Sequence, residues 1–265
     1  MSTRALRTAA SGMYAQELNI EAISNNIANI STTSYKKNIA QFQDLMYQQV
    51  SVSPINSSQS SIAATGNILQ IGNGVQPTST EKIFTQGDMT QTNNQLDLAI
   101  SGEGFFQVKK PDGTYAYTRD GSFKVDSQGK IVTSSGYYLD PSITIDENTL
   151  SVTIGTDGSV TATKVGGTTS VIGNIELANF VNPGGLTSIG DNLYDQSEAS
   201  GTPMIGTPNS STFGTINQGY LEASNVDIVQ EMVSMIAAQR AYEVNSKTIQ
   251  TVEQMMQMAN NLKTS

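Results

Sequence analysis

Residues 224–262 read SNVDIVQEMVSMIAAQRAYEVNSKTIQTVEQMMQMANNL, and this stretch decides the fold. Helix formers dominate it, among them Glu231, Met232, Met235, Ala237, Ala238, Gln239, Met255, Met256 and Ala259. No Gly or Pro interrupts it. Ser224 or Asn225 stands where an N-cap would, and Asp227 suits the positive end of the helix dipole. Ile228, Met235, Tyr242, Ile249 and Met256 recur every seventh residue, an apolar seam along one helix. At ~1.5 Å per residue, residues 226–262 make a rod of roughly 55 Å. A rod with one narrow seam demands a partner, because helices in water draw most of their stability from packing.

The other end of the chain offers that partner. Residues 3–30 predict a helix in which Leu6, Met13, Ile20 and Ile27 repeat every seven, with Ala9, Ile23 and Ile30 on an adjacent row. Gly12 weakens this helix by about 1 kcal/mol relative to Ala. Two ordinary helices packed on a globular core are the alternative, but narrow seams with Asn- and Gln-rich flanks suit a coiled coil better. Ser31-Thr32-Thr33-Ser34 ends the first helix by local hydroxyl bonding to the backbone. Beyond it, Ile39, Phe42, Leu45 and Met46 fall on one side of a short helix predicted over 37–50. Residues 51–66 are rich in Ser and poor in large apolar residues, which predicts an extended arm over about 47–71.

From Lys82 onward the period changes to two. Leu96, Leu98 and Ile100 alternate with Asp97, Ala99 and Ser101; Phe106 and Val108, Tyr115 and Tyr117, and Phe123 and Val125 continue the pattern. Turn signals separate them at Asp112-Gly113, Asp120-Gly121, Gln128-Gly129, Asp157-Gly158 and Gly166-Gly167. Further strands are predicted at 143–145, 152–154, 160–163 and 175–181, and irregular chain over 187–218. The fold class is therefore α+β: long terminal helices pairing as a coiled coil, and a central antiparallel β-domain with an extended arm. The segments are 1–34, the N-terminal helix; 35–82, a connector bearing the arm; 83–221, the β-domain; and 222–265, the C-terminal helix.

Composition narrows the function. The 265 residues carry 14 basic and 23 acidic side chains, a net charge of −9, which disfavours nucleic acid. The chain has no Cys and no His, so the commonest nucleophile–base pairs and metal ligands are missing, and no cofactor or metal is expected. No run of 18 apolar residues spans a bilayer. Arg4 and Arg7 precede Ala9 and Ala10 as in a signal peptide, but Ser11, Gly12, Gln16 and Glu17 break the run, so no cleaved signal is expected. Asp97, Glu103, Asp112 and Asp120 lie in one β-rich region, where a carboxylate pair could hydrolyse a glycan. Turn and strand-end duties are the ordinary explanation. Gly102-Glu103-Gly104 lacks the Lys-Ser/Thr of a phosphate loop.

Three stretches resemble a known family. Ser24-Asn25-Asn26-Ile27-Ala28-Asn29-Ile30-Ser31-Thr32-Thr33-Ser34-Tyr35-Lys36-Lys37, followed by Phe42-Gln43-Asp44-Leu45-Met46-Tyr47-Gln48, is similar to the N-terminal signature of bacterial flagellar rod and hook proteins. Phe84-Thr85-Gln86-Gly87-Asp88, residues 96–108 and Tyr117-Thr118-Arg119-Asp120-Gly121-Ser122-Phe123 resemble the family's central β-domain. Residues 218–227 and Gln239-Arg240-Ala241-Tyr242-Glu243-Val244-Asn245-Ser246-Lys247 resemble its C-terminal signature. One departure is Ser34, where the family often has Gly. Within the family the length and the Ser-rich arm favour the distal-rod branch over hook or proximal rod subunits.

The resemblance implies a non-enzymatic subunit of a hollow helical shaft in the basal body, crossing the periplasm and passing torque from motor to hook. The implied partners are copies of itself, proximal rod proteins, hook protein, periplasmic and outer-membrane ring proteins and the flagellar type III export apparatus. Neither nucleic acid nor membrane insertion is implied. The expected assembly surface comprises Leu6, Met13, Ile20 and Ile27 with Ile228, Met235, Tyr242, Ile249 and Met256, joined by Arg240 and Glu243 as partner-selecting charges. A secreted glycan-binding or glycan-cleaving β-domain is the reading from another class.

Overall fold

The structure, a computed structural model, describes residues 2–51 and 68–264. The chain divides into two compact units. One holds Met1–Asn25, Asn38–Glu81 and Val229–Ser265; the other holds Asn26–Lys37 and Lys82–Ile228.

The first unit carries two long helices, α1 (Ser2–Ala28) and α2 (Ile228–Thr264). A Cβ added to Gly12 would lie 2.9 Å from Asn245 Nδ2, so the glycine that weakens α1 also admits α2 at that point. Beyond Ala28 the chain tightens into three-residue turns, with Ile30 N donating to Ile27 O (3.3 Å) and Thr32 N to Asn29 O (3.1 Å). Thr32 Oγ1 donates to Asn29 Oδ1 (3.1 Å), the local hydroxyl bonding expected of this run.

Residues 37–50 are not helical. They form strands β1 (Asn38–Asp44) and β2 (Gln48–Ser51). Asn38, Ala40 and Phe42 are half-buried whereas Ile39, Gln41 and Gln43 face water, so alternation overrides the helical spacing of Ile39, Phe42 and Met46. Pairing decides it: β2 lies antiparallel to β3 (Ile68–Ile71), with Gln48 opposite Ile71 and Ser51 opposite Ile68, and β1 pairs with β4 (Val75–Lys82). The expected arm falls mostly on residues 52–67, which lie outside the described residues.

The second unit is the β-rich centre, and its described ladders are antiparallel. Its strands run β5 (Met89–Gln91), β6 (Leu98–Ser101), β7 (Phe105–Lys109), β8 (Tyr115–Thr118), β9 (Lys124–Val125), β10 (Ile131–Val132), β11 (Tyr138–Asp140), β12 (Thr149–Ile154), β13 (Ser159–Lys164) and β14 (Thr169–Asn174). They continue as β15 (Leu177–Asn179), β16 (Thr187–Gly190), β17 (Leu193–Asp195), β18 (Met204–Gly206), β19 (Thr215–Gln218) and β20 (Tyr220–Glu222). The main sheet is ordered β16-β17-β8-β7-β11-β10-β9, with β15 joining β7 to β18. Strands β12-β13-β14 make a second sheet, and β19–β6 and β20–β5 make two ribbons.

Strand β7 separates two cores. Phe106 enters a cluster with Leu98, Ile100, Phe123, Leu139 and Leu177; Phe105 enters one with Tyr117, Ala178, Phe180, Leu186 and Tyr194. The one-faced alternation expected at 98–101 and 105–108 is therefore corrected. Leu98, Ala99 and Ile100 are all buried, as are Phe105 through Val108, because both faces are covered.

Residues 187–218 are also more regular than expected. They hold β16 to β19, each of three or four residues, recruited by pairing such as Tyr194 opposite Tyr117 and Ile216 opposite Ile100. The strand expected at 143–145 is only a bridge at Thr144, and 175–181 supplies only β15. Four of the five turn signals hold. Asp120-Gly121 does not: a Cβ on Gly121 would sit 1.7 Å from Leu98 O, so this glycine serves a close backbone approach.

Candidate assembly interface

The expected seam residues occupy intermediate ground in the single chain. Leu6, Met13, Ile20, Ile27, Met235, Ile249 and Met256 are half-buried, while Ile228 and Tyr242 are 45% and 40% exposed. The most buried positions of α2 lie on a neighbouring row: Glu231, Ala238 and Val252. On α1 they are Ala9, Ala15, Ile23 and Asn26. Arg240 Nη1 donates to Glu243 Oε2 (2.9 Å), and both side chains are mostly exposed, a pair worth a few tenths of a kcal/mol by itself.

What the seven-residue reading missed is the far side of α2. Val229, Met232, Val233, Ile236, Val244, Met255, Met258 and Leu262 are all more than half exposed. At about 100° per residue, Val229, Val233 and Ile236 point away from the buried Glu231 and Ala238, whereas Met255 lies only about 60° from the buried Val252. The signal was present in Val229, Met232, Val233 and Ile236, spaced i, i+3, i+4 and i+7. A helix apolar on both sides is characteristic of one enclosed by other protein or lipid. Among the described residues, no helix is long and apolar enough to cross a membrane. Within the same unit, Ala5, Thr8, Ala9, Ile71, Asn245 and Thr248 line part of a 450 Å³ apolar groove.

A second arrangement was invisible to spacing. In the β-rich unit, Lys36, Arg119 and Glu222 meet with side-chain exposures of 0%, 4% and 0%. Lys36 Nζ donates to Glu222 Oε1 (2.5 Å) and to Thr85 O (2.8 Å). Arg119 Nε approaches Glu222 Oε2 at 3.3 Å without hydrogen-bond alignment, while its Nη2 donates to Gly102 O. Gly87 N also donates to Glu222 Oε1 (2.9 Å). Burial pulls the Lys36 amine below the usual lysine range; Glu222 opposes that shift and Arg119 adds to it. Burial likewise lowers Lys82, whose Nζ stands 5.2 Å from the Tyr35 ring centroid and 5.8 Å from that of Tyr194. Burial pushes the Tyr194 hydroxyl well above its ordinary value.

Ser34 adopts φ +56°, the left-handed region, which explains why a glycine is at home there. Its hydroxyl donates to Arg119 O (2.8 Å) and its amide to Glu222 O (2.8 Å). Asn225, a candidate cap by sequence, is used otherwise: its Oδ1 accepts from Lys37 N (2.9 Å) and its Nδ2 donates to Ile83 O (2.8 Å). Each of the four carboxylates weighed for glycan chemistry accepts a hydrogen bond, three of them from a residue two or three positions away. Asp97 accepts from Asn94 (2.9 Å), Glu103 from Asn179 (3.3 Å), Asp112 from Thr114 N (2.9 Å) and Asp120 from Ser122 N (3.0 Å).

Each quoted motif thus delivers one charge to a single buried point, and known proteins share those motifs. Residues 6–36 match the flagella basal body rod protein family, residues 99–162 the flagellar hook protein FlgE/F/G D1 domain, and residues 217–262 the flagellar basal body rod FlgEFG protein C-terminal family. The chain is 49% identical to the flagellar basal-body rod protein FlgG of Buchnera aphidicola subsp. Schizaphis graminum, covering 95% of this chain and 96% of that one. It is 48% identical to the FlgG of Caulobacter vibrioides (98% and 99% covered) and 47% identical to that of Borreliella burgdorferi (98% of each). Relatives of this closeness, aligned from end to end, make the conclusion plain: the chain belongs to the flagellar basal-body rod family, the structural proteins of the flagellar basal body.

Proposed function

We propose that this chain is a structural, non-enzymatic subunit of the distal rod, joining copies of itself into a hollow helical shaft that crosses the periplasm, carries torque to the hook and passes exported subunits. Its terminal helices pair as a coiled coil and pack against those of neighbouring copies. Proximal rod proteins, hook protein, the surrounding rings and the type III export apparatus are its further partners. The observation that carries the reading is the apolar character of α2 on two sides, with Ile236 57% exposed and Leu262 80% exposed in the single chain. End-to-end likeness to rod proteins favours this over a hook subunit or a secreted glycan-active domain.

Ile236→Asp is the test. Ile236 is exposed in the chain, so the variant monomer should keep the helicity and melting temperature of the wild type. In a packed shaft the carboxylate would lose its water, at a cost of several kcal/mol repeated at every subunit. Rod formation and motility should therefore be abolished. A variant that builds straight rods at wild-type yield would refute the proposed packing of α2.

A further inference from the structure

A pocket of about 590 Å³ opens within the β-rich unit, beside the turn that joins β7 to β8. Its volume falls within the roughly 300–1,000 Å³ of small-molecule sites. The pairing of β17 with β8 ends at Tyr194 opposite Tyr117, and the pocket lies where that ladder stops. Tyr115 and Tyr117, two positions apart on β8, line it together with Asp195 and Gln196 from the end of β17. Tyr117 is the most telling of these. It is 3% exposed, and its ring packs edge-on against Phe180, 4.8 Å between centroids. A buried tyrosine hydroxyl normally has a hydrogen-bond partner, yet this one bonds to none of the described residues. Burial raises its pKa, and the nearby Asp195 and Tyr115 add to the shift, so the hydroxyl looks toward the groups that line the pocket.

The charges select the class of ligand. Lys110 Nζ pairs with Asp195 Oδ2 at 3.5 Å. Asp112 accepts from Thr114 N (2.9 Å) and Thr114 Oγ1 (2.6 Å). An anion entering here would meet two carboxylates, and a cation would meet Lys110. A neutral ligand meets neither penalty. It finds the Tyr117 hydroxyl, the Gln196 amide, the remaining lone pairs of Asp195 and the ring of Tyr115, which is 42% exposed. Carboxylate, amide and phenol groups beside an exposed ring suit a molecule with hydroxyls on its edge and C–H groups on its face. We propose that this pocket binds a neutral saccharide of about one or two sugar rings, with its C–H face on Tyr115 and its hydroxyls bonded to Tyr117, Asp195 and Gln196. The role is binding alone, because Asp112 and Asp195 already hold partners and no bond is broken. The inference goes beyond the assembly reading and does not rest on it, since the whole pocket lies in the β-rich unit of one chain.

NMR titration of the full-length protein with cellobiose, maltose and N,N′-diacetylchitobiose decides it. At least one of the three should bind with a Kd of about 1 mM or tighter. Tyr115→Ala should weaken that binding about tenfold or more. Tyr117→Phe keeps the ring and removes the hydroxyl, and should weaken it about five- to tenfold. Tyr138→Ala is the control: Tyr138 lies on β11 outside the pocket, is 39% exposed, and its loss should leave binding unchanged. No binding by any of the three sugars up to about 10 mM would overturn the proposal. So would sugar binding that Tyr115→Ala leaves intact, even if Tyr117→Phe fails to fold. Tighter binding of pyrophosphate or tetramethylammonium than of the sugars would overturn it as well, by making the site one for charge.

Discussion

Phe105→Ala should cost the β-rich unit about 3–5 kcal/mol, among the largest losses any single truncation in this chain produces. Phe105 is 2% exposed and stands at the centre of an aromatic group, with ring centroids at 5.4 Å from Phe84, 5.8 Å from Phe180 and 6.1 Å from Tyr194. All three contacts are edge-on, and the Arg119 guanidinium lies 5.7 Å from the same ring. Rings wedged on several sides cannot close over the space that truncation leaves. The neighbouring Tyr115, 42% exposed, is the comparison, and its truncation should cost about 1 kcal/mol or less. Urea unfolding of both variants reads the difference as a shift in midpoint at constant slope. Equal midpoints would mean that the aromatic group contributes no more than ordinary surface.

Gly121→Ala should be nearly as harmful, at about 3 kcal/mol, although Gly121 does not have the positive φ of a turn glycine. The obstruction is backbone: the new methyl group would meet Leu98 O at 1.7 Å and Leu98 C at 2.7 Å. Leu98 N bonds to Gly121 O (3.0 Å), so the two chains cannot separate without breaking that bond. Gly113→Ala makes the contrast. Gly113 has φ +85° and nothing within 4 Å of an added Cβ, so its cost is the conformational term alone, about 1–2 kcal/mol. Thermal unfolding should rank Gly121→Ala as the less stable of the two. The opposite ranking would show that β6 gives way to the methyl group easily.

The contrast between these glycines also marks what the amino-acid sequence makes legible. Asp112-Gly113 and Asp120-Gly121 look alike in sequence; only the approach of Leu98 distinguishes them, and that depends on partners remote along the chain. Helices α1 and α2 were legible because their formers run uninterrupted and their period is local. Strand β1 was not, since Ile39, Phe42 and Met46 satisfy a helical spacing while the pairing with β4 decides the outcome. The double burial at Phe105 and Phe106 was hidden for the same reason: alternation reports one covered face and is silent when the second face is covered too. At the candidate site, Lys36 and Glu222 are 186 residues apart, so nothing in their spacing announces a pair. The exposed face of α2, by contrast, was written in local periodicity and lay beside the row that was read.

Ser51 lies opposite Ile68, so the two ends of residues 52–67 are held side by side. Whatever length of polypeptide is carried between those two residues, its ends are already joined by the β2–β3 ladder. Closing a longer loop costs little, roughly 0.6 kcal/mol for each doubling of its length. Changes of length there should therefore cost the rest of the fold little in closure entropy.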